Sequence, residues 1–188
     1  MNTSYLLLAD GFEEIEALSV VDIMRRAEME VLTVSITDSK TVTGAHGIPV
    51  IADVTFAEVD CSAAEWLILP GGMPGALNLA AKSELRELLK AQNIKGGKIA
   101  AICASPAVVL APLGILDGKR ATCYPGCEGT MTGATYTKEL VTIDGNIITG
   151  EGPAAAFPYG YAILEIFGGK TVADQLREGM MFNHLTNN

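Results

Sequence analysis

The sequence predicts an α/β domain in which a mostly parallel sheet is covered by helices on both faces. Two observations support this fold class. Short apolar runs alternate with helical stretches along the chain, which is typical of strands joined by crossover helices. The 188 residues, 49% of them hydrophobic, are also enough to bury a sizeable core. Because no repeat or linker interrupts the pattern, we predict one domain over residues 1–188.

The first part of the chain contains two predicted strands joined by a helix. Apolar runs over 5–9 and 30–36 are typical of buried strands. A helix is predicted over 13–27, because acidic residues open this stretch and Arg25 and Arg26 close it, as the helix dipole favours. The chain therefore begins with the β-α-β order that a parallel sheet requires.

The middle of the chain continues the alternation after a short excursion. Glycines within 41–50 indicate a hairpin. A buried strand is predicted over 66–69, where Pro-Gly-Gly ends the apolar run, and an exposed helix over 83–92. A strand over 98–102 and a helix over 104–110 follow, so a second passage of strands and helices is expected.

The last part of the chain adds a short strand, a hairpin and two helices. The short strand is predicted over 120–123. The sequence Ile-Asp-Gly-Asn separates two apolar runs within 141–149, which is a strong signal for a hairpin turn. An apolar stretch of helical length then predicts a helix over 154–167, and a last helix is predicted over 171–178.

Charge and cysteine content restrict the classes of function. The net charge is −9, and the 13 lysines and arginines form no cluster, which argues against nucleic acid and anionic membranes as partners. No apolar run reaches the length of about 18 residues that a membrane span needs, and the N-terminus has no signal-peptide pattern. The cysteines are therefore expected to be reduced thiols in a cytoplasmic protein. They are Cys61, Cys103, Cys123 and Cys127.

The segment 101–105, Ala-Ile-Cys-Ala-Ser, has the form of a nucleophile elbow with cysteine as the nucleophile. Small residues stand two positions before and after Cys103, where a sharp turn between strand and helix leaves no room for bulk. Pro106 suits a first helical turn. A thiol at a helix N-terminus faces unpaired N–H groups and the positive end of the dipole, which favours the thiolate. The alternative is a buried structural cysteine, which is common.

A glycine-rich sequence over 69–75, Leu-Pro-Gly-Gly-Met-Pro-Gly, directly follows a predicted strand. Ligands bind at the carboxyl ends of strands in open parallel sheets, and glycines let backbone N–H groups approach a substrate oxygen. We therefore predict an oxyanion hole formed by the N–H groups of Gly72 and Ala104. An ordinary tight turn is the alternative. A phosphate loop is not expected, because no Gly-Lys-Ser or Gly-Lys-Thr follows.

Three glutamates, Glu13, Glu14 and Glu16, follow the first predicted strand. Acidic residues in a first helical turn often serve only the helix dipole. This turn, however, is expected at the same sheet edge as Cys103 and Gly72. A carboxylate beside a thiol shares hydrogen bonds with it and shifts its pKa, which provides a general acid or base.

Together these motifs resemble the ThiJ/PfpI superfamily, and within it the branch of the Parkinson-disease-linked protein deglycase. The matching sequences are Ala-Asp-Gly-Phe-Glu-Glu-Ile-Glu at 9–16, Leu-Pro-Gly-Gly at 69–72 and Ala-Ala-Ile-Cys-Ala-Ser-Pro at 100–106. Gly152 and Pro153, just before a predicted helix, complete the set and are expected near the site or the dimer interface. The order and spacing of these motifs cover nearly the whole chain.

The resemblance implies a fold, an assembly and a site. The fold is a flavodoxin-like three-layer sandwich with a mostly parallel central sheet, similar to class I glutamine amidotransferases, and the assembly is a homodimer. Cys103 is implied as the nucleophile, and Glu16 as the carboxyl group that is hydrogen-bonded to it. The N–H groups of Gly72 and Ala104 match positions where the family stabilises an oxyanion.

Four further positions follow from the same resemblance. Arg26 and His46 match positions that lie at the interface of family dimers and approach the neighbouring active site. Tyr124 stands where many relatives have a histidine, which removes an imidazole from beside the thiol. Glu151 stands where many relatives have an arginine, which reverses a charge near the site and disfavours anionic substrates.

The site and the resemblance together predict a cysteine-dependent enzyme that needs no cofactor and no metal. Its expected substrates are small reactive aldehydes and dicarbonyls, or their adducts on proteins, in glyoxalase or deglycase chemistry. The alternative is a redox sensor or redox-regulated chaperone that uses oxidation of Cys103 under oxidative stress. A cysteine protease is less favoured, because no histidine is expected beside the thiol. Cys123 and Cys127 are too few ligands for a zinc site.

Overall fold

A seven-stranded, mostly parallel sheet forms the centre of the computed structural model, which describes residues 3–186. In chain order the strands are β1 (Ser4–Leu8), β2 (Val31–Ser35), β3 (Thr41–Thr43), β4 (Pro49–Ile51), β5 (Val54–Thr55), β6 (Trp66–Leu69), β7 (Lys98–Ile102), β8 (Arg120–Ala121), β9 (Thr135–Tyr136), β10 (Val141–Asp144) and β11 (Ile147–Gly150). Across the central sheet their order is β10-β11-β7-β6-β1-β2-β5. Neighbouring strands in it are parallel except β10 and β11, which form an antiparallel hairpin.

Helices cover both faces of the sheet. The α-helices of the described range are α1 (Glu14–Arg26), α2 (Gly75–Ala81), α3 (Ser83–Ile94), α4 (Ala156–Gly168), α5 (Lys170–Gly179) and α6 (Asn183–Thr186). The helix predicted over 104–110 is instead a π-helical turn at Pro106–Leu110, followed by a 3-10 turn at Ala111–Leu113. Pro112 has no N–H to donate, so a regular helix cannot continue through this segment.

Alternate residues of the buried strands face two separate hydrophobic cores. In β1, Leu6 and Leu8 contribute to one core, and Tyr5 and Leu7 to the other, as the two-residue period of a strand requires. The buried faces of α1, α4 and α5 pack in the first core, and that of α3 packs in the second. The predicted three-layer α/β sandwich is therefore confirmed.

The differences from the predicted fold concern its periphery. The strand expected over 120–123 lies outside the central sheet, where β8 pairs in parallel with β9. Its N–H groups bond to side chains of the sheet's hairpin instead: that of Arg120 donates to Asp144 Oδ2, and that of Thr122 to Thr149 Oγ1, both at 2.9 Å. The short elements α2 and β5 were not predicted. No helix in the described part of the chain is long and apolar enough to cross a membrane.

The strand order places three strand ends side by side. β7, β6 and β1 are neighbours and run in parallel, so their carboxyl ends meet at one edge of the sheet. The cysteine segment follows β7, the glycine-rich segment follows β6 and the three glutamates follow β1. The topology thus brings together the three segments that the sequence predicted to meet.

Candidate active site

Cys103 lies on a strained turn directly after β7. Its φ angle is 63°, in the left-handed region that residues other than glycine rarely adopt, and holding it there costs about 1–3 kcal/mol. Two hydrogen bonds hold its peptide groups: the Cys103 N–H donates to the Gly150 carbonyl at 2.9 Å, and the Cys103 carbonyl accepts from the Tyr124 N–H at 2.8 Å. The sharp turn predicted from the sequence is therefore present, and the residue is 8% exposed.

Gly71 allows Cys103 and Glu16 to approach each other. A Cβ atom on Gly71 would lie 2.5 Å from the Cys103 Cβ and 2.8 Å from Glu16 Oε2, closer than real contacts allow. The Gly71 N–H also donates to Glu16 Oε2 at 2.7 Å. The lack of a side chain at this position keeps the thiol and the carboxyl group together.

Glu16 is the glutamate of the three that reaches the thiol. The Glu13 carboxylate caps α1 by accepting from the Glu16 N–H at 2.8 Å, which fixes the first turn of the helix. Glu16 is 1% exposed, and its Oε1 has no hydrogen-bond partner within residues 3–186. Burial raises the pKa of its carboxyl group to about 7, although hydrogen bonds from Gly71 and Cys103 act in the opposite direction. Near neutral pH this group therefore exists in both protonation states.

The Cys103 thiol does not have the lowered pKa that the sequence predicted. Burial raises its pKa to about 12, and the negative charge of Glu16 adds to the rise. The N–H groups of Gly72 and Ala104 both hydrogen-bond to the sulfur and lower the pKa, but by less. The helix expected to stabilise a thiolate is also only the short π-helical turn Pro106–Leu110. Desolvation therefore outweighs the local dipoles.

Two backbone amides and one hydroxyl complete the surroundings of the elbow. The N–H groups of Gly72 and Ala104, predicted as a pair, both lie beside the Cys103 sulfur. The Ser105 hydroxyl is fully buried and donates to the Pro70 carbonyl at 2.5 Å, which ties the end of β6 to the elbow. The sequence interpretation used Ser105 only as a small residue. The signal it missed is a hydroxyl in an otherwise apolar segment, since a buried hydroxyl needs a partner.

Arg26 and His46 make their contacts with other carboxylates. Arg26, the last residue of α1, pairs with Asp22 at 2.7 Å on the surface. The His46 N–H donates to Glu14 Oε1 at 2.8 Å, its Nδ1 lies 2.7 Å from Glu14 Oε2, and this hydrogen bond raises the pKa of the imidazole. Neither side chain is among the groups of residues 3–186 that hydrogen-bond to the Cys103 sulfur. Their place at a dimer interface stays a prediction.

One cluster in the described residues has the composition of a metal site. It consists of Glu13, Glu14 and His46, whose ligand atoms all lie within 4.8 Å of one another. These side chains already serve the protein, because Glu13 caps α1 and both Glu14 oxygens bond to His46. Cys123 and Cys127 belong to no such cluster within residues 3–186, so a zinc site there lacks further ligands.

A groove with a volume of about 360 Å³ opens beside the elbow. It is lined by Tyr124, Pro125, Leu140 and the segment 151–155. The half-exposed ring of Tyr124 covers Gly152, where a Cβ atom would lie 3.2 Å from ring atom Cδ2. Pro153 begins a 3-10 turn that leads into α4. Tyr124, Gly152 and Pro153 therefore lie together, and the Tyr124 N–H connects them to the Cys103 carbonyl.

Known proteins resemble this chain over nearly its whole length. Protein DJ-1 homolog B of Arabidopsis thaliana is 34% identical over 174 residues, which are 93% of this chain but 40% of that protein, so the chain spans about two fifths of that relative's length. The glutathione-independent glyoxalase DJR-1.2 of Caenorhabditis elegans is 35% identical over 173 residues, which are 91% of each protein. The structure of oxidized DJ-1 from Toxoplasma gondii superposes with a TM-score of 0.92 at 32% identity, covering 96% of this chain and 98% of that one.

The family comparison agrees with the sequence motifs. The model of the DJ-1/PfpI family matches residues 3–166, which is most of the chain. This match confirms the resemblance that the motifs around Glu16, Gly72 and Cys103 indicated. The chain belongs to the DJ-1/PfpI family.

Proposed function

We propose that the protein is a glyoxalase-type enzyme that converts small reactive dicarbonyls to hydroxy acids through Cys103. The observation that carries this proposal is the buried cluster of the Cys103 thiol, the Glu16 carboxyl group and the N–H groups of Gly72 and Ala104. These groups are a nucleophile, a proton acceptor and a pair of anion-binding donors. The Caenorhabditis elegans relative, which is named a glutathione-independent glyoxalase, supports the same class of reaction.

The first step is addition of the thiol to the aldehyde carbon. Burial raises the pKa of Cys103 to about 12, so the thiol must lose its proton as it attacks. The Glu16 carboxylate accepts that proton, and its pKa of about 7 keeps much of it ionised at and above neutral pH. The carbonyl oxygen becomes an alkoxide, to which the N–H groups of Gly72 and Ala104 donate. Glu16 then passes the proton to the alkoxide, and a hemithioacetal results.

The second step moves a proton between the two carbons of the former dicarbonyl. Glu16 removes the proton from the carbon that carries sulfur, and a proton returns to the neighbouring carbon. The aldehyde carbon is thereby oxidised and the ketone carbon is reduced, which gives a thioester on Cys103. Water hydrolyses the thioester, releases the 2-hydroxy acid and restores the thiol. One dicarbonyl and one water give one hydroxy acid, so no external oxidant or reductant is consumed.

Early adducts of dicarbonyls on protein amines and thiols are a second form of substrate within this proposal. An amine or thiol would leave the same carbon to which Cys103 adds, which is deglycase chemistry. The groove beside the elbow is open on the surface and supports access by a group larger than a free aldehyde. Conversion of the methylglyoxal hemithioacetal of N-acetylcysteine to N-acetylcysteine and lactate tests this form separately.

Methylglyoxal in deuterium oxide, followed by proton NMR, tests the main proposal. The wild-type protein is expected to form lactate that carries solvent deuterium at C2, because the proton held by Glu16 exchanges with solvent. The Cys103→Ala variant, shown to be folded by circular dichroism, is expected to form none above the uncatalysed rate. Equal lactate formation by the two proteins would show that the reaction does not use this site.

The same cluster supports a second candidate function, that of a redox sensor. The N–H groups of Gly72 and Ala104 face the sulfur and would stabilise a sulfinate, to which a protonated Glu16 would donate. Two equivalents of peroxide supply the two oxygen atoms and are reduced to water. Peptide mass spectrometry after mild peroxide treatment is expected to find these oxygens first on Cys103. First oxidation at the partly exposed Cys127 would contradict this function.

A further inference from the structure

We propose that the groove beside the elbow is a substrate subsite, and that the Glu151 carboxylate in it selects dicarbonyl compounds that bear a positively charged group. The inference rests on the proposed function, because it assigns the part of the substrate that lies beyond the reacting carbons. It concerns the lining of the groove and not the chemistry of the thiol. The two can therefore be tested apart.

Backbone hydrogen bonds of Cys103 connect it to both walls of the groove. One wall begins at Tyr124, whose N–H donates to the Cys103 carbonyl at 2.8 Å. The other wall begins at Glu151, directly after Gly150, whose carbonyl accepts from the Cys103 N–H at 2.9 Å. These bonds place the groove beside the turn that carries Cys103. The volume of about 360 Å³ suits a small molecule or the end of an extended side chain.

Glu151 is the charged residue in a groove whose other walls are aromatic, aliphatic or glycine. Its carboxylate makes no hydrogen bond and no ion pair with any residue of the described range 3–186, while its backbone N–H is fixed to the Leu140 carbonyl at 2.9 Å. A half-buried carboxylate beside apolar walls has lost part of its hydration and has gained no partner in exchange. A cationic ligand group would supply that partner.

The surrounding charges leave the field of Glu151 uncompensated. Burial raises the pKa values of Cys123 and Tyr136, and the charge of Glu151 adds to both rises, so its negative field extends behind the groove. Arg120, on the adjoining β8, is already paired with Glu139 at 3.0 Å. Clefts with low-dielectric walls concentrate such a field. The groove therefore attracts cations and repels anions.

Three phenylglyoxals whose para substituents carry different charges test the proposal. They carry a trimethylammonium group, a hydroxymethyl group or a carboxylate at the para position, and initial rates of mandelate formation give kcat/KM for each. The wild type is expected to prefer the cation over the anion by about tenfold, the size expected of a partly solvated charge pair with opposite effects on the two probes. Because the ammonium group also withdraws electrons from the reacting carbonyl, the ratio is compared between proteins, and Glu151→Gln is expected to lower it about tenfold.

A matched variant controls for the change in net charge. Glu87 lies on α3, which contributes no residue to the lining of the groove, and its removal changes the total charge equally. Glu87→Gln is expected to keep the wild-type ratio. An unchanged ratio in Glu151→Gln, or an equal loss in both variants, would overturn the proposal.

Binding of unreactive ketones separates this inference from the proposed function. The probes are 4-(trimethylammonio)acetophenone and 4-acetylbenzoate, which have no aldehyde, and NMR follows the amide signals of Gly152 and Ala154. The cationic ketone is expected to shift these signals at lower concentration than the anionic one, and Glu151→Gln to remove the difference. Equal binding of both ketones would overturn the subsite even in an active enzyme. A third outcome is that neither ketone shifts the amide signals of the groove and that the protein sediments as a dimer. This result would assign the groove to a second copy of the chain and would also overturn the proposed subsite.

Discussion

The segments around Cys103 and Cys123 provide two buried thiols that invite comparison. Cys103 is 8% exposed and Cys123 is fully buried. Burial raises the pKa of both thiols to about 12. Neither residue is a thiolate at neutral pH, so exposure and thiol pKa do not distinguish a reactive cysteine from a structural one here.

The groups that face the two sulfur atoms do distinguish them. Cys103 faces the Glu16 carboxyl group, which can take its proton, and two backbone N–H groups that bind negative charge. The Cys123 sulfur instead donates to the Tyr124 carbonyl at 3.5 Å, and the nearby charges all raise its pKa further. A buried thiol therefore becomes a nucleophile when a proton acceptor and anion-binding donors surround it.

The strongest test of this comparison removes each thiol in turn. Cys103→Ala is expected to lower kcat/KM for methylglyoxal by at least about 1,000-fold, because no other group forms the covalent adduct. Cys123→Ala is expected to stay within about twofold of the wild type, since it removes a packing group and no reacting atom. Steady-state kinetics at one pH measures both. Similar losses of kcat/KM in the two variants would show that the two thiols do not differ in catalytic role.

The next effect concerns the proton acceptor. Glu16→Gln keeps the shape of the side chain but cannot accept the thiol proton, so a loss in kcat/KM of about 100-fold is expected. Burial raises the Glu16 pKa to about 7, and its carboxylate form is the active one. The wild-type kcat/KM is therefore expected to rise with pH and level off above that value. A pH profile in which the same rise persists in Glu16→Gln would assign it to another group.

The Glu16 carboxyl group is also expected to make the free energy of unfolding depend on pH. Its pKa is about 7 in the fold against an ordinary value of 4.5, so between these values the folded state binds a proton that the unfolded state has lost. Its contribution is therefore fully present below pH 4.5 and declines as pH rises through 7, by about 3 kcal/mol in total. Urea unfolding of wild type and Glu16→Gln at several pH values measures the difference. A wild-type free energy of unfolding that rises with pH relative to that of Glu16→Gln would contradict this prediction.

The smallest effect concerns the glycine between thiol and carboxyl group. Gly71→Ala would place a methyl group 2.5 Å from the Cys103 Cβ, so we expect a loss of about 2 kcal/mol in the free energy of unfolding. Gly129→Ala is the matched control, because a Cβ atom there meets nothing within 4 Å and its φ is not positive. Thermal unfolding compares the two. Equal stability would mean that the elbow can shift to admit the methyl group.

Local sequence was sufficient for some of these features and insufficient for others. The turn at Cys103 could be predicted because small residues on both sides of the cysteine, followed by Pro106, are typical of a sharp turn after a strand. Glu16 was selected by family resemblance alone, since the reach of a side chain depends on helix phase and on the Gly71 N–H, which lies far along the chain. The raised pKa of Cys103 was missed because desolvation is set by how the layers pack and not by neighbouring residues.

The groove could not be predicted from local sequence either. Leu140 comes from the segment between β9 and β10, and Glu151 follows β11, so their proximity is a property of the folded chain. The sequence interpretation placed Tyr124 and Glu151 near the site through resemblance. It gave no reason to expect an apolar groove with one unpaired carboxylate in its wall.

The two hydrogen bonds that hold the Cys103 peptide groups come from Gly150, at the end of β11, and from Tyr124, after β8. During synthesis both partners leave the ribosome after Cys103, so the nascent residue is an ordinary flexible thiol without its strained turn. Reactivity is therefore among the last properties to appear as the chain matures. Detachment of the β10–β11 hairpin would remove this arrangement and expose the thiol, so faster alkylation of Cys103 would report loss of hairpin docking.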